Sequence, residues 1–142
     1  MIILDTNVVS ELMLPSPSPR VVEWVTQQPA TSLFLTTVSE AELRYGVEIL
    51  PIGRRRNRLL SAIEGMLRDD FAGRILLFDR PATRSYALVG ASRRAAGLPI
   101  SHADCQIAAI ARSVGASVAT RNIGDFEDCG VDLIEPWFET QI

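Results

Sequence analysis

The chain has 142 residues, of which 47% are apolar and 22% charged, so it is long enough and apolar enough to form a globular core. Its seventeen carboxylates outnumber fourteen cations, all of them arginine, and His102 is the only histidine. A chain without lysine lacks the amine that P-loop NTPases, Schiff-base enzymes and pyridoxal enzymes require. Two cysteines and one histidine are too few for a structural zinc site, which takes about four such ligands. The remaining tools for catalysis are carboxylates, hydroxyls and a hard metal ion.

The hydrophobic pattern predicts alternating strands and helices within one domain spanning residues 1–142. Short apolar runs predict buried strands, and apolar residues three and four apart predict helices. In chain order the predicted elements are strand 2–4, helices 8–14 and 20–28, strand 33–36, helices 38–50 and 57–71, strand 74–78, helices 82–96 and 101–114, and strands 117–120 and 132–134. This alternation predicts an α/β fold with a central parallel sheet of about five strands and helices on both faces.

The N-terminus has neither the basic residues nor the apolar stretch of a signal peptide, and no apolar run approaches the length of a membrane span. Two cysteines do not form a disulfide framework in a domain of this size. Cys105 is expected to be a small buried residue on a helix. These features predict a reduced, cytoplasmic protein with no membrane segment.

Four acidic residues are expected at one edge of the sheet, where ligands of parallel α/β proteins collect. Asp5 directly follows the first strand, Asp125 lies after the fourth strand, Asp104 opens a helix and Glu42 lies within one. Each of them also has a purely structural alternative. Asp5 can cap a helix, Asp104 fits a capping box with Ser101, and Asp125 can be an ordinary turn residue.

Glu42 has neighbours at helical spacing that are mainly apolar, which makes an unpaired carboxylate there costly: Val38, Tyr45, Gly46 and Ile49. Its structural alternative is also a capping box. Thr37 with Glu40 fits the pattern, and so does Ser39 with Glu42 if the helix begins later. In the first register Glu42 takes no part in capping and is available for another role.

Carboxylates gathered at one edge repel one another and ionise together only with a cation between them. Oxygen ligands of this kind suit Mg²⁺ or Mn²⁺ rather than zinc. Such ions polarise a phosphate and lower the pKa of an attacking water. The pattern therefore favours phosphodiester hydrolysis, which needs neither lysine nor histidine.

Four motifs, in order along the chain, resemble those of the PIN-domain ribonucleases, in particular the VapC/FitB-like toxins of type II toxin–antitoxin systems. They are M-I-I-L-D-T-N-V at 1–8, A-E-L at 41–43, A-D at 103–104 followed by I-A-A-I-A, and A-T-R-N-x-x-D-F at 119–126. The resemblance extends from Met1 to about Trp137. It implies a three-layer α/β/α sandwich around a parallel sheet.

The resemblance also implies a set of functional residues. Asp5 and Asp104 would be the main ligands of Mg²⁺ or Mn²⁺, with Glu42 and Asp125 completing the catalytic pocket directly or through water. The supporting positions would be Thr6 and Asn7 in the first turn, the hydroxyl of Thr120 after the fourth strand, and the neighbouring Arg121, which either positions a phosphate or pairs with an acid.

The implied activity is that of an endoribonuclease toxin that hydrolyses RNA with metal-activated water. The implied partner is a cognate antitoxin, expected to bind DNA and to cover the acidic pocket with its tail. A homodimer or a larger toxin–antitoxin assembly is expected. The alternative is a non-catalytic PIN-like module that binds protein or RNA, whereas phosphotransfer domains that also begin with a strand and an aspartate use a lysine that this chain lacks.

Other residues have weaker interpretations. His102 is expected to be a surface residue at a helix start rather than a general base. The aromatic residues Trp24, Trp137 and Phe138 are expected in the core or an interface rather than as base-stacking platforms. The densest cationic run is either a solvated face or a contact for RNA phosphates, and it comprises Arg54, Arg55, Arg56 and Arg58.

Overall fold

The structure is a computed structural model, and it describes residues 1–138. Within that range five parallel strands form one sheet in the order β3-β2-β1-β4-β5. The strands are β1 (Ile2–Leu4), β2 (Leu33–Thr36), β3 (Ile75–Leu76), β4 (Ser117–Ala119) and β5 (Leu133–Ile134). The predicted parallel sheet of about five strands is thereby confirmed.

Six α-helices connect and cover the strands in the described part of the chain. They are α1 (Thr6–Leu12), α2 (Pro19–Gln27), α3 (Thr37–Glu48), α4 (Arg54–Gly65), α5 (Arg80–Ala95) and α6 (His102–Val114). Short 3₁₀ turns occupy Ala30–Ser32 and Ile123–Phe126, and a π-helical turn at Met66–Asp70 continues α4. None of the described helices is both long enough and apolar enough to cross a membrane.

Two hydrophobic cores lie on opposite faces of the sheet. Successive side chains of β1 point to opposite faces, so this strand contributes residues to both cores. Ile3 packs into the core that contains α5 and α6, whereas Leu4 packs into the core that contains helices α1 to α4. Both residues are fully buried. The result is the three-layer α/β/α sandwich that the resemblance implies.

The order of the strands creates a crevice beside β1. The chain passes from β1 to β2 and β3 on one side and then returns to place β4 on the other side of β1. At this reversal the helices that follow neighbouring strands diverge, which leaves room for a ligand at the carboxyl ends. The backbone N–H of Asp5 donates to the carbonyl of Ala119 at 2.9 Å, so the ends of β1 and β4 are adjacent.

Several element boundaries differ from the prediction. Helix α4 begins at Arg54, three residues before the expected start, because the arginine run itself is helical. Strand β3 is reduced to Ile75–Leu76 instead of the expected 74–78. The cap of α3 is Thr36, whose hydroxyl accepts from the Ser39 backbone N–H at 3.1 Å. Neither predicted capping box at the start of this helix is therefore formed.

Candidate active site

A pocket of about 500 Å³ opens at the carboxyl ends of β1 and β4, and we call it the acidic pocket. It brings together three of the four predicted acids, two supporting residues and one cation: Asp5, Glu42, Asp104, Thr6, Asn7 and Arg121. These side chains come from the first turns of α1 and α6, from α3, and from the segment after β4. Sequence positions up to 116 residues apart thus meet at the edge of the sheet where the prediction placed them.

Asp5 is the most buried acid of the pocket, with 6% of its surface exposed. It is the N-cap of α1, and its Oδ1 accepts from the Thr6 backbone N–H at 2.8 Å. Its Oδ2 accepts from the buried hydroxyl of Thr120 at 2.9 Å. The capping role and the position in the pocket are therefore combined in one side chain, and lone pairs remain on both oxygens because a carboxylate offers about four.

The hydroxyl of Thr120 is the centre of a small hydrogen-bonded network. Besides donating to Asp5, it accepts from the Asn122 backbone N–H at 3.0 Å and from Asn7 Nδ2 at 3.4 Å. Asn7 Oδ1 in turn accepts from the Arg121 backbone N–H at 3.2 Å. Thr120 and Asn7 therefore join the first turn of α1 to the segment that follows β4.

Glu42 reaches the pocket from α3 through a hydroxyl partner. The Thr6 hydroxyl donates to Glu42 Oε1 at 2.8 Å and lies 2.9 Å from Ser39 Oγ. The expectation of a costly buried carboxylate is wrong, because this face of α3 lies at the surface, with Tyr45 67% and Ile49 64% exposed. Glu42 is exposed to solvent, and its hydrogen bond to Thr6 orients it.

Asp104 lies in the first turn of α6 and is half-buried. Its backbone N–H donates to the Ser101 hydroxyl at 3.1 Å, so the predicted cap of this helix is present. The carboxylate itself lines the acidic pocket. Capping and a ligand role are compatible here because the cap uses the backbone of Asp104, and the helix dipole at this position favours the ionised carboxylate.

Asp125 does not line the acidic pocket. It is exposed, and it lies in the 3₁₀ turn after β4, where its backbone N–H donates to the Asn122 carbonyl at 3.0 Å. Its negative charge nevertheless acts on Asp104, because it contributes to raising the pKa of that carboxyl. The structure thus places Asp125 outside the acidic pocket, but near enough to Asp104 to influence its pKa.

The electrostatics of the pocket favour a cation. Burial, opposed by the hydrogen bonds from Thr120 and Thr6, raises the pKa of Asp5 from 3.8 to about 6, and the charges of Asp104 and Glu42 add to the increase. Burial, opposed by the hydrogen bond with Ser101 and by the charge of Arg93, also raises the pKa of Asp104, and the charges of Asp125 and Glu42 add to the increase. Carboxylates in mutual repulsion become stable in the ionised form when a metal ion binds between them.

The donor set fits a hard divalent ion. Oxygen atoms line the pocket, and neither thiol belongs to it: Cys105 and Cys129 are buried elsewhere, and burial raises the pKa of Cys129 to about 11. Within residues 1–138 no three carboxylate, imidazole or thiol groups lie close enough together to hold a metal ion by themselves. Mg²⁺ does not need three, because it keeps several waters and takes only one or two carboxylates directly. Asp5 and Asp104 are the residues that would hold it.

Arg93 is a buried residue that the sequence did not single out. It is 3% exposed, and its Nη1 donates to the carbonyls of Gly124 and Glu127, both at 3.0 Å. Its Nη2 donates to the carbonyl of Pro99 at 2.6 Å. One guanidinium thus ties the turn that carries Asp125 to the loop that precedes α6. Its neighbour Arg94 is exposed, and nothing in the sequence distinguishes the two.

The remaining predicted residues lie around the pocket. His102 is the exposed first residue of α6, as expected, and its Nδ1 is hydrogen-bonded to the Tyr86 hydroxyl at 2.6 Å. Arg121 lies at the rim of the pocket, with its guanidinium carbon 5.1 Å from the ring centre of Trp137. Trp137 packs against the core, as expected, but it also supports this arginine.

A second cavity, of about 800 Å³, adjoins the acidic pocket, and we call it the apolar cavity. Helices α1, α3 and α4 form it, and the two cavities share Thr6, Ser10, Leu14 and Glu42. Its floor consists of aliphatic side chains, including those of Leu43, Val47 and Ile63. Two members of the arginine run, Arg55 and Arg58, line it, while Arg56 pairs with Glu48 at 2.9 Å.

Comparison with known proteins identifies the family. The profile of the PIN domain matches residues 2–130. The chain belongs to the PIN domain family. VapC ribonuclease Y4jK of Sinorhizobium fredii is 43% identical over 137 residues, which cover 96% of this chain and 98% of that protein. Toxin FitB of Neisseria gonorrhoeae is 40% identical over 139 residues, with coverage of 98% and 100%.

The same family relation is visible in three dimensions. A chain in the solved structure of FitAB bound to the IR36 DNA fragment superposes on this PIN domain with a TM-score of 0.94. The two chains are 38% identical, and the superposition covers 99% of each. The resemblance that the four motifs indicate is confirmed over nearly the whole chain.

Proposed function

We propose that this protein is a metal-dependent endoribonuclease and the toxin of a type II toxin–antitoxin pair. The observation that carries the proposal is the convergence of Asp5, Glu42 and Asp104 on one pocket at the reversal of strand order. Its similarity to a VapC ribonuclease and to toxin FitB supports the same activity. RNA is the proposed substrate, and the cytoplasm is the compartment in which we expect it to act.

Asp5 and Asp104 are the proposed ligands of Mg²⁺ or Mn²⁺, and Glu42 and Asp125 act on the pocket directly or through water. An ion held by these ligands would supply positive charge to the scissile phosphate and would lower the pKa of the attacking water. The protein's own residues prepare the pocket for this step: Thr120 holds Asp5, Thr6 orients Glu42, and Asn7 fixes the backbone at Arg121. A positive side chain at the rim, Arg121, attracts the RNA backbone.

The proposed regulator is a cognate, DNA-binding antitoxin whose tail covers the acidic pocket. Solved structures of FitAB and VapBC complexes, some of them bound to DNA, support such a partner. In this chain the apolar cavity beside the active site, with Arg55 and Arg58 in its lining, suits an amphipathic segment that carries acidic groups. We also propose a homodimer as the basic unit, from which a larger toxin–antitoxin assembly is built.

The test is RNA cleavage by the purified protein with Mg²⁺, with Mn²⁺ and with a chelator, comparing Asp104→Asn with Asp132→Asn. The control residue Asp132 is exposed and directly precedes β5, at the opposite edge of the sheet, so its substitution removes the same charge away from the pocket. We expect D104N to reduce both cleavage and Mn²⁺ affinity at least about tenfold. We expect D132N to match the wild type.

Calorimetric titration with Mn²⁺ and thermal unfolding accompany the cleavage assay, so that a loss of activity is not confused with a loss of fold. Metal-dependent cleavage by a folded, well-purified D104N protein would contradict the site assignment. A folded wild-type protein that binds no Mn²⁺ and cleaves no RNA would be a non-catalytic binding module instead.

A further inference from the structure

Arg121 combines a position beside the acids with a charge that no carboxylate in the described part of the chain pairs with. It lines the same pocket as Asp5 and Asp104, and its side chain is exposed. Within residues 1–138 its guanidinium has no carboxylate at ion-pair distance, and it lies instead over the face of Trp137, with its carbon 5.1 Å from the ring centre. A guanidinium lying over an aromatic ring stays in one place while its N–H groups remain available to an anion.

Helix α1 anchors both members of this pair. Asn7 Oδ1 accepts from the Arg121 backbone N–H at 3.2 Å, and one turn later Glu11 Oε1 accepts from the Trp137 indole N–H at 3.4 Å. Residues four apart lie on the same face of a helix. Asp5 caps the same helix, so the positions of the rim arginine, of the ring beneath it and of the proposed metal ligand are all set by α1.

The ligand that suits this arrangement is a phosphate. An arginine offers a planar set of N–H donors that matches two oxygens of a phosphate at once. The three acids of the pocket repel any anion that arrives without a metal ion, so the entering RNA needs a fixed cation at the rim. Resting on the proposed function, we infer that Trp137 positions Arg121 to bind an RNA phosphate next to the scissile one.

The experiment measures binding of a short fluorescein-labelled single-stranded RNA by anisotropy at several KCl concentrations. Every protein carries Asp5→Asn, so that the RNA stays intact. We expect R121M to weaken binding about tenfold at low salt, as for a lost hydrogen bond between charged groups. The slope of log K against log salt should fall in magnitude by about 0.7, which is the contribution of one phosphate of a single strand.

The matched control is Arg94→Met, because Arg94 is equally charged and exposed but lies at the end of α5, outside the pocket. We expect R94M to bind RNA with the affinity and slope of its parent. Equal losses of RNA affinity in R94M and R121M would show that only the net charge of the protein matters, and this would overturn the inference. It would also be overturned if R121M bound RNA like its parent, including the case in which R121M instead weakened an antitoxin complex.

The role of Trp137 is tested by a double-mutant cycle. We expect W137L to weaken RNA binding in the parent but to cause no further loss in the R121M background, because a positioning residue acts only through the group it positions. W137F retains an aromatic face and should stay within about twofold of the parent, which keeps the test valid if W137L is unstable. Equal losses from W137L in both backgrounds would overturn the positioning role.

These outcomes are separate from the fate of the proposed function. If the wild type cleaves no RNA but R121M still lowers the salt slope, the phosphate contact stands and the catalytic proposal fails. If the wild type cleaves RNA but R121M leaves the salt slope unchanged, the catalytic proposal stands and the phosphate contact fails.

Discussion

Asp5 has two roles that conflict in the protein without metal. It caps α1 and receives the Thr120 hydroxyl, which holds it in place, but it is almost completely buried beside Asp104 and Glu42. Its pKa of about 6 lies above that of an aspartate in an unfolded chain, which is near 3.9. The folded state therefore binds this proton more tightly than the unfolded state, so the resulting stability is fully present below about pH 4 and is lost as the pH rises from about 4 through 6.

This conflict predicts the effect of Asp5→Asn on stability. Asparagine also caps helices well, and it does not ionise. Relative to D5N, the wild type should be most stable below pH 4 and should lose about 3 kcal/mol as the pH rises through 6, since one pKa unit corresponds to about 1.4 kcal/mol. Urea unfolding of both proteins in EDTA between pH 4 and pH 8 measures the difference. Saturating Mg²⁺ should reduce the gap at pH 8, and a gap independent of pH would contradict the assignment.

The positions of the acids along the sequence predicted most of the residues that line the pocket. The exposure of Glu42 and the position of Asp125 depend on how the elements pack. Asp5 and Asp104 lie where a strand end and a helix start placed them, because these positions are defined by the sheet edge itself. The prediction for Glu42 was incomplete, since periodicity gives the spacing of residues on a helix but not the face that solvent reaches. Asp125 was expected in the pocket, but it lies in the 3₁₀ turn after β4 and does not line the pocket.

At the scale of elements, Arg93 shows what a sequence pattern leaves open. Arg93 and Arg94 are adjacent in the last turn of α5, where cations generally favour the helix dipole. Only the rotation of α5 against α6 decides that Arg93 points inward. Once buried, it provides donors for three loop carbonyls, and these loops precede Asp104 and contain Asp125.

We expect Arg93→Met to destabilise the protein by at least about 2 kcal/mol, because a buried guanidinium loses its hydrogen bonds to the carbonyls of Pro99, Gly124 and Glu127, and a hydrogen bond to a charged group contributes about 1.5–3 kcal/mol. The matched variant Arg94→Met should stay within about 0.5 kcal/mol of the wild type. Urea unfolding measures both. Amide hydrogen exchange should also become faster in the 3₁₀ turn Ile123–Phe126, whereas β1 should exchange as before. Equal stabilities of the two variants would contradict this role.

The boundaries of elements were predicted less well than their order. The alternation of apolar runs determines which segments are strands and helices, and all eleven predicted segments correspond to observed elements. Their ends depend on local hydrogen bonds that compete closely. Thr36, Thr37 and Ser39 are all acceptable caps for α3, and Thr36 is used because β2 ends there.

At the scale of the whole molecule, the apolar cavity predicts where the proposed antitoxin binds. Ala62 lies on α4 with its side chain exposed into this cavity. Substitution by tryptophan should fill part of its volume of about 800 Å³ with little strain on the core. We expect Ala62→Trp to weaken inhibition by the antitoxin at least about tenfold, because an anchor in a pocket carries much of the binding energy of an interface.

Cleavage of RNA titrated with antitoxin measures this change, and cleavage without antitoxin should be retained. The control is Ala91→Trp, which places the same ring on the exposed surface of α5 on the opposite face of the sheet. Equal inhibition of A62W and the wild type would show that the antitoxin binds elsewhere.

The wall that the two cavities share has a thermodynamic consequence. Thr6, Ser10, Leu14 and Glu42 border both the acidic pocket and the apolar cavity, and the Thr6 hydroxyl joins α1 to Glu42 on α3. A chain that moves this wall on docking changes the affinity for the metal ion, and by reciprocity the ion changes the affinity for that chain by the same factor. Cellular magnesium would then act as an allosteric effector of toxin release.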